Sequence, residues 1–317
     1  MTLKDKGFYK GMNLGGWMSQ CDYSEERLNG FITEKDFETI ASWGFDHVRI
    51  PVDYNVLCTE EGEISAKGIS RIQNALENCG EYGLRAVLDL HKTAGFSFDQ
   101  NEGESGFFEN EKYQEQFYRI WEALAGHFGA MSGSVAFELL NEVTEKEYLP
   151  AWKRISSECI RRIRLAAPDS LILLGSYHHN NVGAVPDLDS PQDKNVIYNF
   201  HCYDPIRFTH QGAHWMPELI DRTGFSYEES GASEAYFEEL FAPAIRKAEE
   251  EGTALYCGEY GVIDQVPPET ALKWFRALHA VFEKHQIARS VWSFREMDFG
   301  IADARWDGLR KELLTLL

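Results

Sequence analysis

The chain has 317 residues, 44% of them hydrophobic and 13% aromatic, which is enough to bury a large core in one α/β barrel or in two smaller domains. Its 51 acidic and 31 basic side chains give a formal charge of −20, which opposes binding to nucleic acid or to an anionic membrane surface. No segment reaches the roughly 20 consecutive apolar residues that cross a bilayer. Composition therefore predicts neither a nucleic-acid nor a membrane partner, and we expect a monomer.

The N-terminal sequence, residues 1–6 (MTLKDK), lacks the apolar stretch of a secretory signal. We therefore expect the chain as it stands to be cytoplasmic. A chain from which a signal had been removed would look the same and would be secreted. The six cysteines show no CxxC spacing, so we expect reduced, buried thiols.

Short apolar runs rich in β-branched residues alternate with segments whose apolar residues follow helical spacing, which predicts repeated βαβ units. The predicted strands cover residues 8–14, 47–52, 85–90, 135–140, 171–176, 196–200, 254–257 and 290–294. Several are almost continuously apolar, as a parallel strand buried on both faces requires. Eight strand-helix pairs in a chain of this length predict a single (β/α)8 TIM barrel domain over residues 1–317.

The intervening helices show apolar stripes that we expect to pack against the barrel. One stripe is Phe117, Ile120, Trp121, Leu124 and Phe128, and another is Trp152, Ile155, Cys159 and Ile163. An open doubly wound sheet is the rival architecture. Its glycine-rich phosphate fingerprint is missing, because residues 11–16 (GMNLGG) do not match GxGxxG.

Polar residues follow several of these strands, at the end where the active sites of such barrels are assembled. Glu142 follows the fourth strand and Glu259 the seventh, so the two carboxylates are expected to face each other across the barrel mouth. Glycoside cleavage needs such a pair, because one carboxylic acid protonates the leaving oxygen while a carboxylate attacks the sugar carbon. Taken alone, each glutamate is better explained as a helix N-terminal charge partner or a rim residue. The polar run at residues 177–181 (YHHNN) is expected to be a solvated loop.

Seven segments, in chain order, resemble glycoside hydrolase family 5, a family of retaining enzymes that includes many cellulases. They are NLGGW (13–17), HVRIP (47–51), LDLH (88–91), LLNE (139–142), FHCY (200–203), YCGEYG (256–261) and SVW (290–292). The resemblance spans nearly the whole chain. It implies a β/α barrel that hydrolyses a β-linked glucan through a covalent sugar-enzyme intermediate, with no cofactor and no metal.

The resemblance also implies roles for individual residues. Glu142 matches the general acid/base and Glu259 the nucleophile. A general acid has to hold its proton, so Glu142 is expected to have a raised pKa. Asn141 matches the amide that binds the 2-hydroxyl of the sugar being cleaved.

Five further residues match groups that surround the cleaved sugar. Arg49 and Tyr203 match hydrogen-bond donors to the nucleophile, which stabilise its negative charge. His91 and His201 match the histidines around the sugar, and Trp292 matches the aromatic floor beneath it. Each has a structural alternative: Arg49 could be a structural ion-pair residue, the histidines rim residues and Trp292 part of the core. For Arg49 and Trp292 we favour the functional role, because their motif matches are closer.

The substrate is less well determined, because two parts of the chain resemble different branches of the family. HKTAG (91–95), with the loop through residue 110, resembles exo-acting β-1,3-glucanases, whereas HCYDP (201–205) and FTHQGA (208–213) resemble bacterial cellulases. We favour an endo-β-1,4-glucanase. An exo-β-1,3-glucanase and a β-mannanase are the alternatives on the same fold.

Three other functions are compatible with some of these residues. His91, His178 and His201 could hold a catalytic metal, but barrel amidohydrolases carry HxH on the first strand, where this chain has MNL. Lys92 could form a Schiff base with a carbonyl substrate. A non-catalytic sugar-binding protein is the third alternative, and it would hold an oligosaccharide without cleaving it.

Overall fold

Eight parallel strands close into a barrel in chain order in the structure, a computed structural model that describes residues 2–317. The strands are β1 (Lys10–Asn13), β2 (His47–Asp53), β3 (Arg85–Lys92), β4 (Val135–Glu138), β5 (Ile172–Leu174), β6 (Val196–Cys202), β7 (Leu255–Tyr260) and β8 (Ala288–Val291). The ring closes where Gly11 of β1 pairs with Ser290 of β8. The predicted barrel and its eight strands are confirmed.

Helices surround the strands on the outside of the barrel. They are α1 (Glu25–Gly30), α2 (Glu34–Ser42), α3 (Tyr54–Leu57), α4 (Ala66–Glu81), α5 (Glu111–Phe128), α6 (Leu149–Ala166), α7 (Tyr177–Asn180), α8 (Ile206–Thr209), α9 (Tyr227–Ser230), α10 (Glu234–Glu251), α11 (Pro268–His285) and α12 (Arg310–Leu314). Short 3₁₀ helices cover Gln100–Glu102, Gly129–Met131, Lys146–Tyr148, Val182–Asp187 and Ala304–Trp306. No helix within residues 2–317 is both long enough and apolar enough to cross a membrane.

Local sequence sets where the long helices begin and end. The Ser65 hydroxyl accepts a hydrogen bond from Gly68 N at the start of α4, and the Ser233 hydroxyl accepts one from Tyr236 N at the start of α10. Gly252 ends α10 with a φ of 65°, a left-handed conformation that glycine adopts without steric cost.

The fifth strand-helix unit differs from the prediction of eight full pairs. After β5 the chain makes the single turn α7 and then the 3₁₀ helix Val182–Asp187, in place of a long α-helix. Pro186 lies inside this segment and lacks the N–H that an α-helix would need there. Six units therefore carry a long α-helix after the strand, whereas the eighth has only the five-residue α12. The short fifth unit leaves its loop close to the barrel mouth.

Both predicted stripes are buried, as expected for helix faces that cover the barrel. Every residue of the two stripes is at most 3% exposed. Inside the barrel, alternate strand residues point inward, so one face of β3 carries Val87, Asp89 and His91. Val87 belongs to an apolar layer near the amino ends of the strands, which also contains Ala136, Leu173, Ile197, Tyr256 and Ala288. The next inward positions are polar, and they form the floor of the site.

The six cysteines are free thiols. Five of them are buried and Cys21 is half-buried, so the expectation of reduced thiols is confirmed and that of complete burial is wrong for Cys21. Burial raises the pKa of the Cys79 thiol to about 12, which keeps it protonated and unreactive near neutral pH.

Candidate active site

A single guanidinium lies at the centre of the polar layer. Arg49 on β2 is fully buried, and its Nε and Nη2 donate to the two carboxylate oxygens of Glu138, both at 2.7 Å. Nη1 donates to Asn13 Oδ1 at 2.9 Å and to Glu259 Oε1 at 2.7 Å. Nη2 also donates to Asn141 Oδ1 at 3.0 Å. One side chain thus fixes groups from β1, β4 and β7 relative to one another.

Three carboxylates surround this one cation. Besides Glu138 and Glu259, Asp89 Oδ2 lies 3.0 Å from Arg49 Nη2. Burial disfavours the charge on Arg49, but the three carboxylates outweigh it and raise the pKa of Arg49 well above its ordinary value. Burial raises the pKa of Asp89 to about 7 and also raises that of Glu138, although Arg49 opposes both shifts. Arg49 therefore remains charged, while Asp89 and Glu138 lose their protons less readily than exposed carboxyl groups do.

A local irregularity between β6 and β7 places Glu259. The register shifts after Phe200, so that His201 pairs with Glu259 and Gly258 is passed over. A Cβ at Gly258 would lie 2.8 Å from Asn199 Oδ1 and 2.9 Å from His201 Nε2, closer than real Cβ atoms come. Glycine at this position lets the strand turn the Glu259 carboxylate toward the barrel axis.

Tyr203 completes the surroundings of Glu259. Its hydroxyl donates to Glu259 Oε2 at 2.9 Å, and its backbone oxygen accepts a hydrogen bond from the Thr209 hydroxyl. Burial and the charge of Glu259 raise the pKa of Tyr203 well above its ordinary value, so the hydroxyl keeps its proton as a donor. Each oxygen of Glu259 thus accepts one hydrogen bond, from Arg49 and from Tyr203.

Glu142 follows β4 with a φ of 42°, a left-handed conformation that is rare for residues other than glycine and is found where surrounding contacts hold it. Its Oε1 lies 2.8 Å from His201 Nδ1, and its Oε2 lies 3.1 Å from His179 Nδ1. Burial alone would raise the pKa of Glu142, but the two histidine hydrogen bonds outweigh burial and lower it. The predicted raised pKa is therefore wrong for the free enzyme, because the prediction took no account of two imidazole donors.

The two carboxylates approach each other in the barrel mouth. A carboxylate oxygen of Glu142, one of Glu259 and a ring nitrogen of His201 all lie within 4.8 Å of one another. Carboxyl groups about 5–5.5 Å apart are typical of retaining glycosidases, whereas inverting enzymes need about 6.5–9.5 Å to admit a water molecule. The spacing fits direct attack on a sugar by one carboxylate and proton transfer by the other.

Two buried side-chain nitrogens near the pair lack a hydrogen-bond partner within residues 2–317. They are Nδ2 of Asn141, whose Oδ1 accepts from Arg49, and Nε2 of His91, whose Nδ1 lies 2.6 Å from Asp89 Oδ2. Such atoms are costly to leave unpaired. Both belong to side chains whose other polar atom is held, so the orientation of these nitrogens is fixed.

Trp292 follows β8 and forms one wall of the site. Its ring is nearly parallel to that of His91, with 4° between the planes and 5.8 Å between the centroids. Phe98 contacts His91 edge to face at 5.2 Å. A Cβ at position 15 would lie 2.6 Å from the Trp292 ring, so Gly15 gives the indole its space. The indole is 6% exposed, which leaves part of it accessible from the mouth.

All eight residues predicted for the site form one connected group. They are Arg49, His91, Asn141, Glu142, His201, Tyr203, Glu259 and Trp292. Their roles in catalysis remain predictions.

Several further side chains contact this group and carry no predicted role, among them Asn13, Asp89, Glu138 and His179. Glu138 is an acidic residue within an otherwise apolar strand, and such a residue needs a buried partner, which is the signal that could have identified it. The solvated loop predicted at 177–181 is wrong for Tyr177 and Asn180, which are buried. His179 is exposed as predicted and also contacts Glu142.

A metal site finds little support in this geometry. Among the described residues, Glu142, His201 and Glu259 are close enough to share an ion, and neither His91 nor His178 belongs to that group. The predicted alternative of a three-histidine site is therefore wrong. A cation among the two glutamates would also meet the Arg49 guanidinium, whose Nη1 is 2.7 Å from Glu259 Oε1.

Lys92 is held away from the reacting groups. Its Nζ donates to the Tyr23 hydroxyl at 2.8 Å and to Glu102 Oε1 at 3.2 Å, and lies 3.8 Å from Asp53 Oδ2. A Schiff-base lysine needs a free amine that faces the substrate. The contacts of Lys92 instead connect the end of β2 with the segments that follow β1 and β3.

An aromatic cluster extends the site on the β6 side. Tyr203 packs edge to face on His210 at 4.9 Å and on Phe299 at 5.7 Å, and Trp215 contacts His210 at 6.0 Å. Trp215 is 40% exposed, which is unusual for so large an apolar side chain. His210 thus lies between the solvent-facing indole of Trp215 and Tyr203, whose hydroxyl donates to Glu259.

Comparison with known proteins identifies the family of this chain. The family model for cellulase (glycosyl hydrolase family 5) matches residues 5–298. Cellodextrinase A of Ruminococcus flavefaciens is 55% identical over 287 residues, which cover 90% of this chain and 85% of that protein. Endoglucanase C of Acetivibrio thermocellus is 35% identical over 337 aligned positions, covering 98% of each chain.

Solved structures show the same fold. The structure of Thermotoga maritima Cel5A in complex with cellobiose superposes with a TM-score of 0.83 and 23% identity, covering 98% of this chain and 99% of that one. The family match covers most of the chain, and two relatives exceed 30% identity over at least 90% of it. The chain is therefore a glycoside hydrolase and belongs to glycosyl hydrolase family 5, the cellulase family.

Proposed function

We propose that this glycoside hydrolase cleaves β-1,4-linked glucan with retention of configuration, with Glu259 as nucleophile and Glu142 as acid/base. The observation that carries the proposal is the approach of the two carboxylates to within 4.8 Å, each bound by its own set of donors. Glu259 accepts from Arg49 and Tyr203, and Glu142 accepts from His179 and His201.

The different surroundings of the two glutamates suit different tasks. In the first step Glu259 attacks the anomeric carbon while Glu142 passes its proton to the leaving oxygen, so a covalent glycosyl ester forms and the aglycone departs. In the second step Glu142 takes a proton from water, which attacks the same carbon and releases Glu259. Arg49 and Tyr203 stabilise the carboxylate before attack and again as it leaves.

Substrate class is inferred from the relatives. One is named a cellodextrinase and another an endoglucanase, and the chain spans 85% and 98% of their lengths. These names favour β-1,4-glucan over β-1,3-glucan and mannan. We expect both soluble cello-oligosaccharides and accessible cellulose chains to be hydrolysed.

Product analysis on a polysaccharide panel tests this assignment. Carboxymethyl cellulose, mixed-linkage glucan and cellotetraose should be cleaved, and proton NMR should show the β-anomer of the new reducing end first. Laminarin and mannan serve as matched controls and should remain intact. Preferential cleavage of laminarin, or initial release of the α-anomer, would contradict the proposal.

Replacing Glu142 with Ala should affect substrates according to their leaving groups. We expect kcat/KM for cellotriose to fall by about 10²–10⁴-fold, because a sugar alkoxide needs the proton. For 2,4-dinitrophenyl β-cellobioside, kcat/KM should remain within a few-fold of the wild-type value, because that phenolate leaves unaided. Glu147→Ala, in the exposed segment that follows, is the control. Equal losses on both substrates would remove Glu142 from the acid role.

A further inference from the structure

The turn after β5 has an unusual backbone that is tied to the segment after Glu142. His178 and His179 have φ values of 52° and 56°, in the left-handed region. His178 N donates to Thr144 O at 2.9 Å, and His179 N donates to Val143 O at 3.0 Å. Residues held in this region cost free energy and persist where surrounding contacts fix them. The turn therefore presents the side chain of His179 to Glu142 in a set orientation.

The two histidines that contact Glu142 differ in their access to solvent. The side chain of His179 is 54% exposed, whereas that of His201 is 1% exposed. Nε2 of His201 is further covered by Asn180, whose Nδ2 lies 3.5 Å away. Of the two imidazoles, His179 is the one that can exchange a proton with water while it contacts the carboxylate.

We propose that His179 is a positioning residue that holds the proton Glu142 will donate, and that this proton reaches Glu142 from solvent through His179. The inference rests on the proposed function of Glu142 as acid/base. In the free enzyme His179 is an imidazolium beside the Glu142 carboxylate. Its Nδ1 proton moves to Glu142 Oε2, and this leaves His179 as the neutral Nε2–H tautomer and Glu142 as the acid.

The rest of the cycle keeps protons and charge in balance. The leaving oxygen takes the proton from Glu142 as its bond to the anomeric carbon breaks and Glu259 forms the glycosyl ester. In the second step water loses a proton to Glu142 as its oxygen bonds to the same carbon, and Glu259 departs as a carboxylate. The proton then returns from Glu142 to His179, and the free enzyme is restored.

The charges around His179 favour the protonated form of its imidazole. Burial of the ring opposes a charge on His179, but the hydrogen bond to Glu142 and the carboxylates of Glu142, Glu145 and Glu259 outweigh it and raise the pKa of His179. The pKa of His201 on β6 is raised as well, chiefly by Glu259 and Glu142 acting against burial. A base with a raised pKa is protonated below that value, so His179 loses its extra proton as pH rises through its pKa.

Substitutions at position 179 separate the proton from the hydrogen bond. His179→Gln reaches Glu142 with an amide N–H donor but carries no transferable proton. His179→Asn suits the left-handed backbone but is too short to reach. His178→Asn is the matched control, because the neighbouring ring has a similar φ and packs on Tyr177 at 4.7 Å.

The alkaline limb of the pH profile of kcat/KM for cellotriose is the first readout. In both His179 variants it should move to lower pH by about one unit, so that activity at pH 7.5 falls roughly tenfold. 2,4-Dinitrophenyl β-cellobioside needs no proton and should be hydrolysed within twofold of wild type, which also shows that the variants are folded. His178→Asn should keep the wild-type profile on both substrates. An unchanged alkaline limb in His179→Gln, or equal losses on both substrates at every pH, would overturn the inference.

NMR titration of the histidine rings is the second readout and does not depend on turnover. The imidazole of His179 should titrate above its ordinary pKa in the wild-type protein and at a lower pKa in Glu142→Gln, which lacks the carboxylate. An unchanged titration in Glu142→Gln would contradict the pairing. If Glu142→Ala shows no leaving-group selectivity, the proposed function itself fails. If that selectivity is present and the His179 variants behave as wild type, only the inference about His179 fails.

Discussion

Replacing Glu259 with Ala is expected to lower hydrolysis of cello-oligosaccharides on the order of 10⁵-fold or more, because the covalent step loses its nucleophile. The truncation leaves space beside the anomeric carbon, next to Arg49 Nη1 and the Tyr203 hydroxyl. Azide can enter that space and attack from the same face. With 2,4-dinitrophenyl β-cellobioside, azide should therefore restore turnover and give the α-glycosyl azide.

The identity of the azide product decides this prediction. Proton NMR distinguishes the α-azide, formed by a single displacement, from the β-azide, formed by two. Glu142→Ala with azide is the matched comparison and should give the β-azide, since Glu259 still forms the ester. Glu63→Ala, an exposed carboxylate paired with Arg119, should show no azide effect. Near-normal activity of Glu259→Ala, or a β-azide from it, would exclude Glu259 as the nucleophile.

Replacing Arg49 with Met is expected to lower both stability and activity, since it removes the one cation among three buried carboxylates. Breaking a buried ion pair by removing one partner typically costs about 3–5 kcal/mol. In a chain of this size we expect a fall in Tm of roughly 5–10 °C, measured by calorimetry. The loss should be smaller at lower pH. The pKa of Asp89 is raised to about 7, so below pH 7 it becomes protonated and leaves less uncompensated charge.

Arg162→Met provides a matched control for this loss. Arg162 on α6 also faces three carboxylates, Glu115, Glu122 and Glu158, but on the surface of the protein. Exposed ion pairs are worth about 0–1 kcal/mol, so its Tm should change little. Equal losses in Arg49→Met and Arg162→Met, or a larger loss at low pH than at high pH in Arg49→Met, would contradict the role assigned to the buried cation.

Much of the fold could be read from the sequence, because β/α barrels repeat one simple pattern. Each strand is a short apolar run, and each stripe such as Phe117 to Phe128 lies at helical spacing, so burial and period both point to the same elements. The fifth unit could not be read so easily. Its polar run YHHNN and Pro186 replace the start of a long helix, and composition does not distinguish a solvated loop from a turn held by backbone hydrogen bonds.

The reacting carboxylates could be predicted because strand ends converge on one face of the barrel. Their chemistry could not, since it depends on contacts between side chains far apart in sequence. The pKa of Glu142 is lowered by His179 and His201, which lie 37 and 59 residues further along the chain. The bulge that turns Glu259 inward is likewise a matter of register between β6 and β7, and only Gly258 hints at it.

Asn13 connects the first strand of the barrel to its last two strands. Its amide nitrogen lies 2.9 Å from Gly258 O and 3.0 Å from Ser290 O, and its oxygen accepts from Arg49. One side chain of β1 thus bonds the backbone of β7 and β8 and the guanidinium at the same time. The seam where β1 meets β8 is therefore closed by a residue that also orients the active site. Any change that opens the seam also disturbs one of the acceptors that hold Arg49.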